Sequence, residues 1–256
     1  MINNISQILI TKEPELIPPL INEAVLSVRN TFQNCSYTLY DNEKIIELIK
    51  NNFDINTLKA YNKIRPFAGK ADLARYCIKY LNGGWYVDLG IKMSSFMIGK
   101  TINLPDNIDF LAFRDFGDGF SPKPLSYHLQ NSIFYSKPKN KILEKAIELV
   151  IENCKTENQG LTPVCPTGPG VFGRSLACVG AKKTQIIGMF MALTPHHKNM
   201  NNAYVLPDGT IFALHKTSWL PQVNPGDLKA FGFNSTNNYI KMYMENDFYD
   251  SSIDIL

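Results

Sequence analysis

The chain has 256 residues, 45% hydrophobic and 19% charged, and carries a net charge of +3. That length fits one domain spanning 1–256, and the balance is ordinary for a soluble globular protein. No apolar run approaches the roughly 18 residues a membrane-spanning helix needs. The mild basicity suits a small anionic substrate or loose peripheral contact with an acidic membrane surface, and no nucleic acid is expected as a partner.

The opening MINNISQILIT lacks a basic stretch followed by a long apolar core, so no secretory leader is expected. A strand is expected over 5–11, then Pro14, Pro18 and Pro19, then a helix over 21–29. A second strand over 37–40 leads through Asp41, a helix cap, to a helix over 43–51. Further on, strands are expected over 109–114 and 132–135, separated by the Gly/Pro-rich loop FGDGFSPKP. A helix over 141–153 has Ile142, Ala146, Leu149 and Val150 on one face. The cluster TPVCPTGPGVFGR reads as a loop before a helix over 171–179, and 186–193 has the length of a buried strand or core helix. Short strands over 204–206 and 211–214 follow. The five cysteines, at 35, 77, 154, 165 and 178, contain no C-x-x-C pair. An odd, dispersed set reads as reduced thiols of a cytosolic protein.

The most informative stretch is AGKADLARYCIKYLNGGWYVDLGIK, residues 68–92. Ala71, Ala74, Ile78 and Leu81 form one apolar helical stripe, and Asp72, Arg75 and Lys79 a polar one beside it. Gly83 and Gly84 can take the left-handed conformation that ends a helix. Trp85-Tyr86-Val87 then has the content of a buried strand, and Asp88 is the first charge beyond it. In open α/β sheets ligands bind beyond the carboxyl ends of the strands, where Asp88 stands. Taken singly, an Asp/Arg pair at i,i+3 is a surface ion pair worth at most roughly 0.5 kcal/mol, and a lone Asp after a strand is a turn former or cap. The β-α-β-α-α-β order argues for a mainly parallel sheet flanked by helices.

Asp72, Arg75, Gly83, Gly84, Tyr86 and Asp88 together resemble the signature of glycosyltransferase family 32, related to the clostridial glucosylating toxins. That pattern is D-x-x-R on a helix, then G-G, an aromatic strand and D-x-D; here Gly90 stands at the second Asp. The resemblance implies an α/β fold of the Rossmann-like, nucleotide-sugar-binding type called GT-A. It also implies a divalent metal, Mn²⁺ or Mg²⁺, from whose ligands Gly90 removes one carboxylate.

Three further stretches gain meaning from the resemblance. Asn131, alone a turn residue before a strand, stands where the family's amide contacts the donor sugar. Thr167-Gly168-Pro169 matches a T-G-P ahead of a helix bordering the active-site cleft, where Gly-rich backbone amides can hold an anion. His215 to Trp219 resembles an ending in which a His or acid and a hydroxyl help hold the metal and the Trp indole meets phosphate. The implied metal ligands are Asp88 and His215, with Lys216 an alternative source of positive charge. The adjacent His196-His197 pair is poorly spaced for one metal.

The resemblance therefore implies a hexosyltransferase that uses a nucleotide diphosphate sugar and a glycan or lipid-linked acceptor, retaining anomeric configuration. Surface polysaccharide or lipopolysaccharide synthesis at the cytoplasmic face of a membrane is the expected setting. Expected catalytic residues are Asp88, Arg75 and Asn131; donor binding adds Asp72, Tyr86, Ser218 and Trp219. The rival readings are a nucleotide-sugar-binding protein weakened by Gly90 and an effector that glycosylates host proteins.

Overall fold

The computed structural model describes residues 4–97, 102, 104–117, 128–193, 202–220 and 228–256. In chain order the elements are β1 (Asn4–Ile8), α1 (Pro19–Thr31), β2 (Ser36–Tyr40), α2 (Asn42–Asn52), α3 (Ile55–Lys63), α4 (Phe67–Asn82) and β3 (Gly84–Val87). Next come β4 (Lys92–Met93), β5 (Phe110–Gly117), β6 (Leu129–Ser136), α5 (Lys141–Lys155), α6 (Pro169–Val179) and β7 (Gln185–Ala192). The chain closes with β8 (Asn202–Val205), β9 (Ile211–Leu214), the single turn α7 (Lys216–Trp219), a 3-10 turn (Leu228–Phe231) and α8 (Tyr239–Met244). The FGDGFSPKP loop from Asp118 on, and His196-His197, lie outside the described residues.

The strands form one sheet in the order β2-β1-β3-β6-β5-β7-β8-β9-β4. β1 pairs in parallel with β2 and β3, and β5 with β7; the remaining neighbours run antiparallel. The α/β class is the expected one. The mainly parallel sheet is realised as a mixed one, because β6 returns antiparallel between β3 and β5. Of the parallel strands, β1 and β3 are the ones that end at the cleft.

Alternation along β3 divides the core. Trp85 and Val87 join the cluster on one face with Val28, Phe113 and Phe212, while Tyr86 joins the other, beneath α2 to α6. Trp85 lies 5.3 Å from the Phe32 and Phe212 rings; each fully buried large apolar side chain of this kind contributes about 2–3 kcal/mol. With both faces covered, β3 is buried throughout, which explains its unbroken aromatic and β-branched run.

α4 enters β3 through the glycine pair, as its sequence requires. Gly83 and Gly84 have φ of 61° and 81°, and the Gly83 N–H closes on the Lys79 carbonyl at 2.9 Å. A Cβ at Gly84 would stand 2.5 Å from the Asn4 carbonyl oxygen, so only glycine lets helix and strand meet there. At the other end α4 begins after Pro66 without a cap of its own. Asn237 supplies one from the distant C-terminal segment, accepting from the Phe67 N–H at 2.9 Å. α4 departs from the expected two-stripe helix: residues 73–79 are buried on every side, Arg75 and Lys79 included, whereas Leu81 is half-buried.

All five cysteines are free. Among the described residues no helix is long and apolar enough to cross a membrane.

Candidate active site

Arg75 is the hub of the site. Two turns into α4, its guanidinium lies between two carboxylates: Nη2 is 3.1 Å from Asp72 Oδ1, and Nη1 is 3.3 Å from Asp88 Oδ1. Nη1 also donates to the Asn131 carbonyl at 3.0 Å and Nε to the Ala71 carbonyl at 3.1 Å. The Tyr86 ring lies under the guanidinium at 4.6 Å, and the Tyr86 hydroxyl donates to Asp88 Oδ1 at 2.6 Å. Burial pushes the Arg75 pKa down, but Asp88, Tyr86 and Asp72 around it more than reverse that. The charge is permanently present and fixed in direction.

Asp72 is locked from behind. It accepts from the Asn131 amide and the Thr167 hydroxyl, both at 2.8 Å. The second Asn131 amide hydrogen goes to the Tyr76 hydroxyl at 2.8 Å, and that hydroxyl donates to the Thr167 carbonyl at 3.0 Å. Burial raises the Asp72 pKa; Arg75, Thr167 and Asn131 oppose the shift. A Cβ at Gly168 would lie 3.0 Å from Asp72 Oδ2, so the T-G-P turn needs its glycine to approach this carboxylate. The motif thus works by a threonine hydroxyl and close packing. Asn131 is likewise not ahead of a strand but inside β6, 3% exposed, with both amide hydrogens committed within the protein.

A cleft of about 170 Å³ lies beyond the carboxyl ends of β1 and β3. Arg75, Tyr86, Asp88, His215 and Lys216 are among its polar lining, and Phe67, Phe231, Phe233 and Tyr239 among its aromatic lining. Asp88, its side chain 35% exposed, is the carboxylate that reaches it. Asp72, Asn131, Ser218 and Trp219 are not among the lining residues.

The His215–Trp219 stretch is held by hydrogen bonds within the protein. His215 caps α7, its Nδ1 meeting the Thr217 hydroxyl at 2.9 Å, and its pKa is pushed down to about 3 by burial and by Lys216. The Ser218 hydroxyl donates to the Asn202 carbonyl at 2.7 Å, and the Trp219 indole donates to the Gly90 carbonyl at 3.3 Å. Space beside Gly90 is filled by Lys216: a Cβ at residue 90 would meet the lysine Cβ and Cδ at 3.3 Å.

The protein supplies few ligands for a Mn²⁺ or Mg²⁺ ion. Mg²⁺ is held by one or two carboxylates completed by waters and substrate phosphates, so Asp88, with His215 beside it in the cleft, is the side chain that would hold one. Here Asp88 is shared with Arg75 and Tyr86, and residue 90 brings no side chain. No group of three or more His, Cys, Asp or Glu suited to a metal occurs among the described residues.

Sequence reasoning missed Tyr76 and the aromatic wall. Tyr76 is four residues beyond Asp72 and so its neighbour on the helix, a legible signal hidden among buried apolar positions. Phe231, Phe233 and Tyr239 come from a C-terminal segment with no pattern relating it to α4.

No family model matches the chain. An uncharacterized glycosyltransferase of Acanthamoeba polyphaga mimivirus is 25% identical over 207 residues, covering 79% of this chain and 76% of that protein. The PaToxG glycosyltransferase structure aligns with 69% of each chain, at a TM-score of 0.49 and 14% identity. A glycosyltransferase involved in glycosylation of the major capsid of PBCV-1 aligns with 73% of this chain and 81% of its own, at a TM-score of 0.39 and 11% identity. At these scores neither alignment establishes a common fold.

Proposed function

We propose that this protein is a glycosyltransferase of the GT-A type that moves a hexose from a nucleotide diphosphate sugar to a glycan or lipid-linked acceptor, with retention. The observation that carries the reading is the buried Arg75 held between Asp72 and Asp88, with Arg75 and Asp88 lining a cleft that Phe67, Phe231, Phe233 and Tyr239 also line. Similarity to the viral glycosyltransferase over three-quarters of both chains supports it.

The chemistry asks for such a site. The bond from the anomeric carbon to the β-phosphate oxygen breaks, its electron pair leaving with the phosphate. The acceptor oxygen forms the new bond to that carbon, and the acceptor's hydroxyl proton passes to the departing phosphate oxygen. Fixed positive charge stabilises the leaving diphosphate best when it needs no rearrangement. Arg75 is fixed in this way, and Asp88 accepts hydrogen bonds from sugar hydroxyls.

Incubating the protein with a panel of nucleotide sugars, with mass detection of released nucleoside diphosphate, tests the reading. Release with one donor supports it. Tight binding without release favours the binding-protein reading, for which Gly90 is the one structural argument.

A further inference from the structure

We infer that the Lys216 ammonium, rather than a divalent cation, supplies the charge that receives the donor's diphosphate, an inference that rests on the nucleotide-sugar reading above. Lys216 and Gly90 are complementary: the lysine stem fills the space into which a side chain at residue 90 would grow, with Cβ and Cδ each 3.3 Å from that position. The two are also tied together. The Trp219 indole holds the Gly90 carbonyl at 3.3 Å, so the loop after Asp88 and the turn that carries Lys216 form one unit. That turn is itself anchored on Asn202, whose carbonyl accepts from the His215 N–H at 2.9 Å and the Ser218 hydroxyl at 2.7 Å.

Charge points the same way. Asp72 and Asp88 together outweigh Arg75, which would leave the site net negative and hostile to a diphosphate. Lys216, lining the same cleft as Asp88 with its Nζ 5.3 Å above the Phe231 ring, restores the balance. Burial lowers the Lys216 pKa and the Asp88 charge opposes that shift, so the carboxylate helps keep the ammonium charged. Throughout the transfer the lysine keeps its proton; it binds the departing phosphate oxygens and takes part in no bond change.

The test is calorimetric titration of UDP, GDP and inorganic pyrophosphate into wild type, Lys216→Met and Lys216→Arg, with EDTA and then with Mn²⁺. Wild type is expected to bind in EDTA, with less than about a twofold change on adding Mn²⁺; Lys216→Met to lose at least about 30-fold; and Lys216→Arg to stay within about fivefold. Wild-type binding that requires Mn²⁺ overturns the inference while leaving the nucleotide-sugar reading intact. So does wild-type affinity in folded Lys216→Met. Failure of wild type to bind any of the three probes in either buffer overturns the nucleotide-sugar reading and the role of Lys216 with it. If Lys216→Met does not fold, the wild-type EDTA titration still overturns the inference when binding requires Mn²⁺, and loss of binding in folded Lys216→Gln replaces the methionine arm.

Discussion

Asp72 and Arg75, three residues apart on one helix, form an ion pair of 3.1 Å in which the carboxylate side chain is 15% and the guanidinium side chain 6% exposed. Pairs of this spacing on a solvated helix face contribute little, but removing one partner from a buried pair leaves an uncompensated charge. Asp72→Ala also strands the Asn131 amide and the Thr167 hydroxyl. We expect it to destabilise the fold by about 3 kcal/mol, against at most about 0.5 kcal/mol for a surface pair. Urea unfolding of the two proteins reads the difference directly.

The T-G-P turn acts on the same carboxylate. Gly168→Ala would place a methyl 3.0 Å from Asp72 Oδ2 and 3.1 Å from the Val164 carbonyl oxygen. Neither neighbour can retreat cheaply, because Asp72 is held by three partners and Val164 contributes backbone. A loss of about 1–3 kcal/mol is expected, together with weaker nucleoside diphosphate binding as Arg75 shifts with its partner. Unchanged affinity and unfolding midpoint would mean that the turn and Asp72 are not coupled.

Gly90 has no left-handed φ, so its φ does not demand glycine, and the nearest atoms that a Cβ there would meet are those of the Lys216 stem. Gly90→Asp is expected to fold, to pair its carboxylate with Lys216, and to weaken pyrophosphate binding in EDTA by at least about tenfold. Combining it with Lys216→Ala recreates a two-carboxylate site, and binding in the double variant is expected to depend on Mn²⁺. Calorimetry with and without EDTA distinguishes the cases; metal-independent binding by the double variant contradicts the exchange of roles.

His215 gives a pH signature. Its folded pKa, about 3, lies below the ordinary histidine value, so between those limits the unfolded chain takes up a proton that the folded chain refuses. Its contribution to stability is therefore fully present above pH 6.5 and is lost as pH falls toward 3. Between pH 6.5 and about pH 5 the loss is at most about 2 kcal/mol. His215→Asn is expected to flatten this part of the profile, measured as unfolding free energy against pH. An identical slope in both proteins would place the effect elsewhere.

The local logic of 68–92 was legible because each step has a residue-type requirement: the helix stop needs glycine, β3 needs buried aromatic and β-branched residues, and the charge after it needs a partner. Other features depend on segments far apart in sequence. Asn131 reads as a turn residue until β6 is seen to pass behind Asp72. Lys79 shares a stripe with Arg75 but points away from the cleft, to Asn4 Oδ1 at 2.8 Å and the Gly83 carbonyl at 3.0 Å. The 55–63 helix and the aromatic wall at 231–239 escaped notice because neither carries a chemistry-bearing motif. The mixed sheet was hidden because β6 inserts between strands that are not its sequence neighbours on both sides.

The most direct test of the account is the turnover of Asp88→Asn at saturating donor, since Asp88 alone of the carboxylates reaches the cleft while pairing with Arg75. Asn preserves shape and removes charge. The account predicts that kcat falls by at least roughly two orders of magnitude while the unfolding midpoint stays close to wild type. Near-normal turnover by a folded Asp88→Asn protein would contradict it, making Asp88 a structural partner of Arg75 and Tyr86 and nothing more.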